Sequence, residues 1–167
     1  MESINEIKRD SLNALLAAGK RGDNRGMHDY RKITIQAAPL QNAEGSAIAT
    51  IGKSQVMAGI KFDVATPFAD RPTEGVLSTS ADLLPLASHL FETGPPGDES
   101  IELARVVDRG IRSANIIDLK SFFIEDGKVL AVYLDIYVLD HDGNLIDCSS
   151  LAAMAALMSA RMPKIEG

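Results

Sequence analysis

From Lys128 to Asp140 the chain places Leu130, Val132, Leu134, Ile136 and Val138 at every second position, and from about Leu145 to Ala160 it is apolar on nearly all sides. A period of two puts those five side chains on one face of a long strand. A helix with no polar face must be buried. Asp140 and Asp142 flank Gly143-Asn144 between the two segments, and residues of these types turn a chain sharply. A long strand that turns directly into a helix needing cover calls for a sheet with helices laid across one side. The 167 residues suffice for one such domain. With 46% hydrophobic and 24% charged residues the composition is that of an ordinary globular protein.

The remaining elements follow from local pattern. Ser3 to Ala18 has Ile4, Ile7, Leu12, Leu15 and Leu16 near helical spacing, and Gly19 stops that helix. Residues 19–29 concentrate Gly, Asp, Asn and Arg, as a loop does. Lys32 to Ala38 is β-branched at Ile33, Thr34 and Ile35. Ser46 to Ile51 faces Gln55 to Phe62 across a tight Gly52-Lys53 turn, completing a three-stranded meander. Pro67, Pro72 and Gly75 mark an exposed loop from Ala65 to Gly75, and Val76 to Ala81 reads as a fourth strand. Leu83 to Phe91 has the length of a short helix. Thr93-Gly-Pro-Pro-Gly97 then breaks the chain before Asp98, a residue suited to capping a helix that runs to about Ala114. Ser121 to Glu125, Asp126-Gly127 and Lys128 onward form a hairpin. The order of helices and strands predicts an α+β domain of two layers, helices on an antiparallel or mixed sheet.

The single Cys148 has no partner for an internal disulfide, as expected in a reducing compartment. The opening Met1-Glu2-Ser3 lacks the basic and apolar regions of a signal peptide. No run approaches the ~18 apolar residues of a membrane span. The expectation is a cytoplasmic protein with no membrane partner. The net charge of −6 argues against a general nucleic-acid coat. Its distribution is uneven: residues 62–104 hold one basic and eight acidic groups, after which Arg105, Arg109 and Arg112 appear with only Asp108 between them.

Several apparent motifs dissolve on inspection. Gly52-Lys53-Ser54 ends like a phosphate-binding loop, but position 47 is Ala and a strand follows. His28, His89 and His141 stand too far apart for zinc, and of the clustered carboxylates Asp135, Asp140, Asp142 and Asp147, turn chemistry accounts for Asp140 and Asp142 and the dipole of the last helix for Asp147. No metal and no cofactor is expected.

The arginines differ. At 100° per residue, with Leu103 at zero, Val106, Val107, Ile111 and Ala114 fall at about 300°, 40°, 80° and 20°, and Arg105, Arg109 and Arg112 at about 200°, 240° and 180°. Three guanidinium forks thus share the stripe opposite the core, where they can bind phosphates. The plainer alternative is a solvated face held by pairs such as Glu102 with Arg105 or Asp108 with Arg109.

Glu102-Leu-Ala-Arg-Val-Val-Asp-Arg-Gly-Ile-Arg112, Tyr137-Val-Leu-Asp-His-Asp-Gly-Asn-Leu-Ile-Asp147 and Leu151-Ala-Ala-Met-Ala-Ala156 resemble the RNase PH family. Arg21-Gly-Asp-Asn-Arg25, Gly45-Ser-Ala47, Ile60-Lys-Phe62 and Arg71-Pro-Thr-Glu-Gly75 match in order the ring subunits of the archaeal exosome. The resemblance covers about residues 20–165 and implies the ribosomal protein S5 domain 2-like fold, with residues 1–20 as an N-terminal helix and 21–167 as the family's first domain. Within the family the chain is similar to the non-catalytic ring subunit. Active members carry a Gly-Gly-Thr/Ser-Arg segment that cradles the attacking phosphate at a helix N-terminus. Here the corresponding run is Gly143-Asn-Leu-Ile146, without hydroxyl or charge. The acidic pair used by such enzymes would fall beyond Gly167, so the family's fold extends further than this chain.

The resemblance implies a subunit that is not itself an enzyme. It would scaffold a catalytic RNase PH-like partner in an alternating ring, helping to bind RNA for phosphorolysis from the 3′ end, with exosome cap proteins as further partners. Arg105 and Arg109, with Arg112 a weaker candidate, are the RNA-binding residues it implies. Two other readings are an active phosphorolytic exoribonuclease with a different phosphate site, and a standalone RNA-binding module, which the acidic balance disfavours.

Overall fold

A computed structural model describes residues 2–23 and 25–163, with the side chains of residues 2–6 and 8 outside that description. The side chain of Ile4 among the apolar helix positions, Asn24 in the early loop and the residues after 163 therefore lie outside it. The chain divides into two compact units, Met1–Arg31 and Lys32–Gly167. The first holds helix α1 (Glu2–Ala17), which ends where Gly19 turns to a φ of 67°.

The second unit is a sheet with two helices. Strands β1 (Ile33–Ala37), β2 (Gly45–Ile51) and β3 (Ser54–Ala65) form the expected antiparallel meander, with Gly52 at φ 65° in the tight turn. Strand β4 (Val76–Leu83) leads through helix α2 (Asp98–Ser113), a single 3-10 turn at Leu119–Phe122 and strand β5 (Phe123–Glu125) to strand β6 (Lys128–Asp140), and helix α3 (Leu145–Ser159) closes the fold. The order across the sheet is β1-β2-β3-β6-β4, with β5 pairing β6. Strand β6 lies antiparallel to β3 and parallel to β4. A parallel pair needs a crossover, and α2 supplies it.

The even-numbered residues of β6 from Leu130 to Val138 are buried against the helices, with Ala47, Ala49 and Ile51 of β2 and Val56, Ala58 and Ile60 of β3. Helix α3 contributes Cys148, Ala152, Ala153 and Ala156 to the same core. Small residues on both sides let the helix lie close to the strands, and close packing is what stabilises an interior. The closest approach is at the end of α3. Ser46 N–H donates to Ser159 Oγ at 3.1 Å, Arg161 N–H donates to Glu44 O at 2.9 Å, and Gly45 sits between them without a side chain.

Three local expectations are corrected. Leu83 to Phe91 is not a helix but the end of β4 followed by two successive turns, closed by Ala87 N–H to Leu84 O at 2.8 Å and Phe91 N–H to Ser88 O at 3.1 Å. The Ala87 carbonyl, which a helix would spend on its own chain, accepts from His141 N–H at 3.2 Å at the end of β6. Helix α2 is preceded by Gly97 in extended conformation with no side-chain cap, so Asp98 is its first residue and acts through the dipole alone. Val106 and Ala114, assigned to the core stripe by angle, are exposed, and the stripe narrows to Ser100, Leu103, Val107 and Ile111. Among the described residues no helix is long and apolar enough to cross a membrane.

Candidate functional site

Helix α2 is pinned by its buried stripe and by Ser100, whose hydroxyl donates to the Ala81 carbonyl of β4. That attachment turns the opposite stripe outward, and Arg105, Arg109 and Arg112 are all exposed. Arg105 and Arg109 project one turn apart, about 6 Å along the axis. They line two shallow depressions, one on the outer side of α2 with Glu102 and Val106, the other between α2 and β4 with Ser78, Thr79 and Asp108.

The acidic neighbours do not neutralise this pair. Among the described residues neither Glu102 with Arg105 nor Asp108 with Arg109 forms an ion pair, and neither guanidinium has a hydrogen-bond partner. Asp108 is engaged elsewhere. Its Oδ2 accepts from Arg112 Nε at 2.7 Å, and its Oδ1 accepts from Thr79 Oγ1 at 3.2 Å. Arg112 also donates from Nη2 to the Leu77 carbonyl at 2.8 Å. Strand β4 is the last strand of the sheet, so this contact ties α2 to an edge strand. The three arginines therefore divide into two kinds: Arg105 and Arg109 are open cations, whereas Arg112 is tied to its own helix and to β4. Thr79 and the Leu77 carbonyl had no signal in the sequence, because they reach α2 from a strand about thirty residues earlier.

Between β6 and α3 the chain turns sharply. Gly143 and Asn144 both take positive φ, 79° and 61°. Ser54, the last residue of the apparent phosphate-loop tail, is buried and holds this turn: its hydroxyl donates to Gly143 O at 2.7 Å and accepts from Asp142 N–H at 2.8 Å. Leu145 packs against the core, Ile146 is exposed, and the first turn of α3 carries Asp147. A phosphate arriving at these backbone amides would meet a carboxylate and no cation on that turn. Of the other carboxylates weighed from sequence, Asp135 lies on the outer sheet face and accepts from Ser80 Oγ at 2.7 Å. On the same face burial, with the charges of Asp135 and Asp82, pushes the Tyr137 phenol above its ordinary pKa. His141 stacks obliquely on Phe91 with ring centres 5.3 Å apart.

Residues 29–163 match the family model described as the 3′ exoribonuclease family, domain 1. The chain is 51% identical over 166 residues to a protein of Thermococcus onnurineus named exosome complex component Rrp42, spanning 99% of this chain and 61% of the relative. Against the relative of that name from Pyrococcus abyssi it is 48% identical, over 98% of this chain and 60% of the other. A solved structure titled as the Archaeoglobus fulgidus exosome with RNA bound to the active site superposes with a TM-score of 0.90 at 48% identity, covering 95% of this chain and 63% of that one. The chain thus spans about three fifths of the length of the relatives it matches. On the family match and these likenesses, carried by the sheet and helices described above, the chain belongs to the RNase PH family of 3′ exoribonuclease domains.

Proposed function

We propose that this chain acts as a non-catalytic ring subunit of an archaeal exosome, scaffolding a catalytic RNase PH-like subunit and helping to hold RNA for degradation from the 3′ end. The observation that carries the RNA part is the open guanidinium pair Arg105 and Arg109 on the exposed stripe of α2. Contacts from such a pair to phosphates are independent of sequence, which suits a processive degrading machine. The relatives named exosome component Rrp42 and the RNA-bound archaeal exosome support this reading. The absence of catalysis rests on the α3 turn, where Leu145 and Ile146 stand in place of a hydroxyl and a cation. Inorganic phosphate would attack the last phosphodiester on the partner subunit, breaking its bond to the 3′ oxygen of the preceding nucleotide and releasing a nucleoside diphosphate. Edge strand β1, with Ile33 and Ile35 exposed, is a surface that assembly would cover. Cap proteins and a cytoplasmic location belong to the same reading.

The test compares this chain alone, the catalytic subunit alone and the two co-purified, by phosphorolysis of labelled RNA and mass from light scattering. Only the mixture is expected to form a ring and degrade RNA efficiently; nucleoside diphosphate released by this chain alone would overturn the non-catalytic role. In the assembled complex, Arg105→Glu with Arg109→Glu should weaken RNA binding for all sequences. The slope of log affinity against log salt should flatten by about 0.7 per lost contact. An unchanged slope would remove these residues from the RNA path.

A further inference from the structure

Asp108 lines one depression together with three arginines, yet only one of them holds it. Its spacing to Arg105 is three residues and to Arg112 four, and both separations bring side chains together on a helix. An acid placed N-terminal to its base is the better order, which favours Arg112. The structure strengthens that choice from outside the helix. The Leu77 carbonyl accepts from Nη2 of Arg112 at 2.8 Å and so fixes the guanidinium, and the Thr79 hydroxyl donates to the second oxygen of Asp108 at 3.2 Å. Each carboxylate oxygen thus accepts one hydrogen bond, and two of the three guanidinium nitrogens of Arg112 are committed. With its Nε–H and one Nη2–H engaged, Arg112 has fewer donors left for a phosphate than Arg105 or Arg109.

We propose that Arg112 is a positioning residue rather than an RNA ligand: with Thr79 it sequesters the Asp108 carboxylate, keeping it from pairing with Arg105 and Arg109, which stay open to phosphate. The inference rests on the RNA-binding reading of Arg105 and Arg109 given above. It divides the stripe into two roles, and it gives Thr79 and the free edge of β4 a part in RNA binding that neither plays by contact.

The experiment is a double-mutant cycle on RNA affinity in the assembled complex, measured by fluorescence anisotropy with a labelled single-stranded RNA at fixed salt. Arg112→Gln frees Asp108 and should weaken binding about threefold to fivefold, the range expected if an exposed acid captures a neighbouring cation. Asp108→Asn should raise affinity more in the Arg112→Gln background than in the wild type, returning the double variant to within about twofold of the wild type. If the two effects merely add, or if the loss from Arg112→Gln persists with Asn at position 108, Arg112 is a direct phosphate ligand and the proposal fails. Thr79→Val repeats the test while leaving the Arg112 contact to Leu77 in place. It should cause a smaller loss, again relieved by Asp108→Asn; a loss that is not relieved counts against the proposal. The pair Arg105→Glu with Arg109→Glu separates the two ideas. If it has no effect, the RNA reading falls and this inference with it; if it weakens binding while the cycle shows no coupling, only the role of Arg112 falls.

Discussion

Gly45 is where strand β2 and the end of helix α3 come closest, so a single methyl group there should be felt throughout the fold. A Cβ built on Gly45 lies 2.8 Å from the Ala160 Cα and 2.7 Å from its Cβ, and closer still to the Ala156 carbonyl. Carbon atoms rest at about 3.5 Å or more, so Gly45→Ala requires the end of α3 to retreat by about 0.7 Å. These neighbours are backbone or sit directly on it, and no rotamer change relieves them. The retreat would stretch the hydrogen bonds that join Ser46 to Ser159 and Glu44 to Arg161. Overpacking of this kind costs about 1–3 kcal/mol. At about 2 kcal/mol, a chain of this size should lose roughly 4–8 °C in Tm. Gly59→Ala is the matched control: it lies in β3, and a Cβ there meets nothing within 4 Å. Its effect should be neutral or stabilising by up to about 1 kcal/mol, through the unfolded chain. The assay is thermal and urea unfolding of both variants beside the wild type. Equal stability of the two would refute the claim that the junction of β2 with α3 is packed to contact.

Two further outcomes follow from the same structure. The Lys61 ammonium, 2.9 Å from Glu44 Oε1, holds the Glu44 carboxyl below its ordinary pKa. That stabilisation is present above the unfolded value of about 4.3 and is lost as pH falls through the lower folded value. Glu44→Gln should therefore remove part of the fall in urea midpoint between about pH 6 and pH 3, an effect of about 0.5 kcal/mol. An identical pH dependence in the two proteins would count against the pairing. Cys148 is fully buried, its sulfur 3.4 Å from the Ala49 carbonyl. It should react with a thiol reagent such as DTNB only in denaturant, and rapid labelling of the native protein would contradict its place beneath α3.

The elements legible in the sequence were those with a strong local period. The alternation from Leu130 to Val138 marked β6, and Gly52 and Gly127 marked their turns because a positive φ suits glycine. The all-apolar run identified α3 as buried, and Leu103, Val107 and Ile111 recur at helical spacing. Leu83 to Phe91 departs from the expected helix because an apolar stretch of that length satisfies a helix template while its carbonyl at Ala87 is claimed by a residue more than fifty positions away. Val106 shows the same limit on a smaller scale: its angle placed it near the core, but the sheet beneath α2 covers only a narrow stripe.

The candidate site divides along the same line. That Arg105, Arg109 and Arg112 share one face of a helix follows from the 100° step between residues, and the chain alone determined it. The sequence also determined that Gly143 to Ile146 offers no hydroxyl or cation, since that is a matter of residue type. Which of the arginines stays open was decided only by tertiary structure. Parallel pairing of β4 with β6 brings Thr79 and the Leu77 carbonyl beside α2, and those two groups settle how Asp108 and Arg112 are spent. Helical spacing offers an acid several partners of nearly equal energy, and a few tenths of a kcal/mol separate them. A hydroxyl and a carbonyl from a distant strand exceed that difference, so the outcome belongs to the fold rather than to the helix.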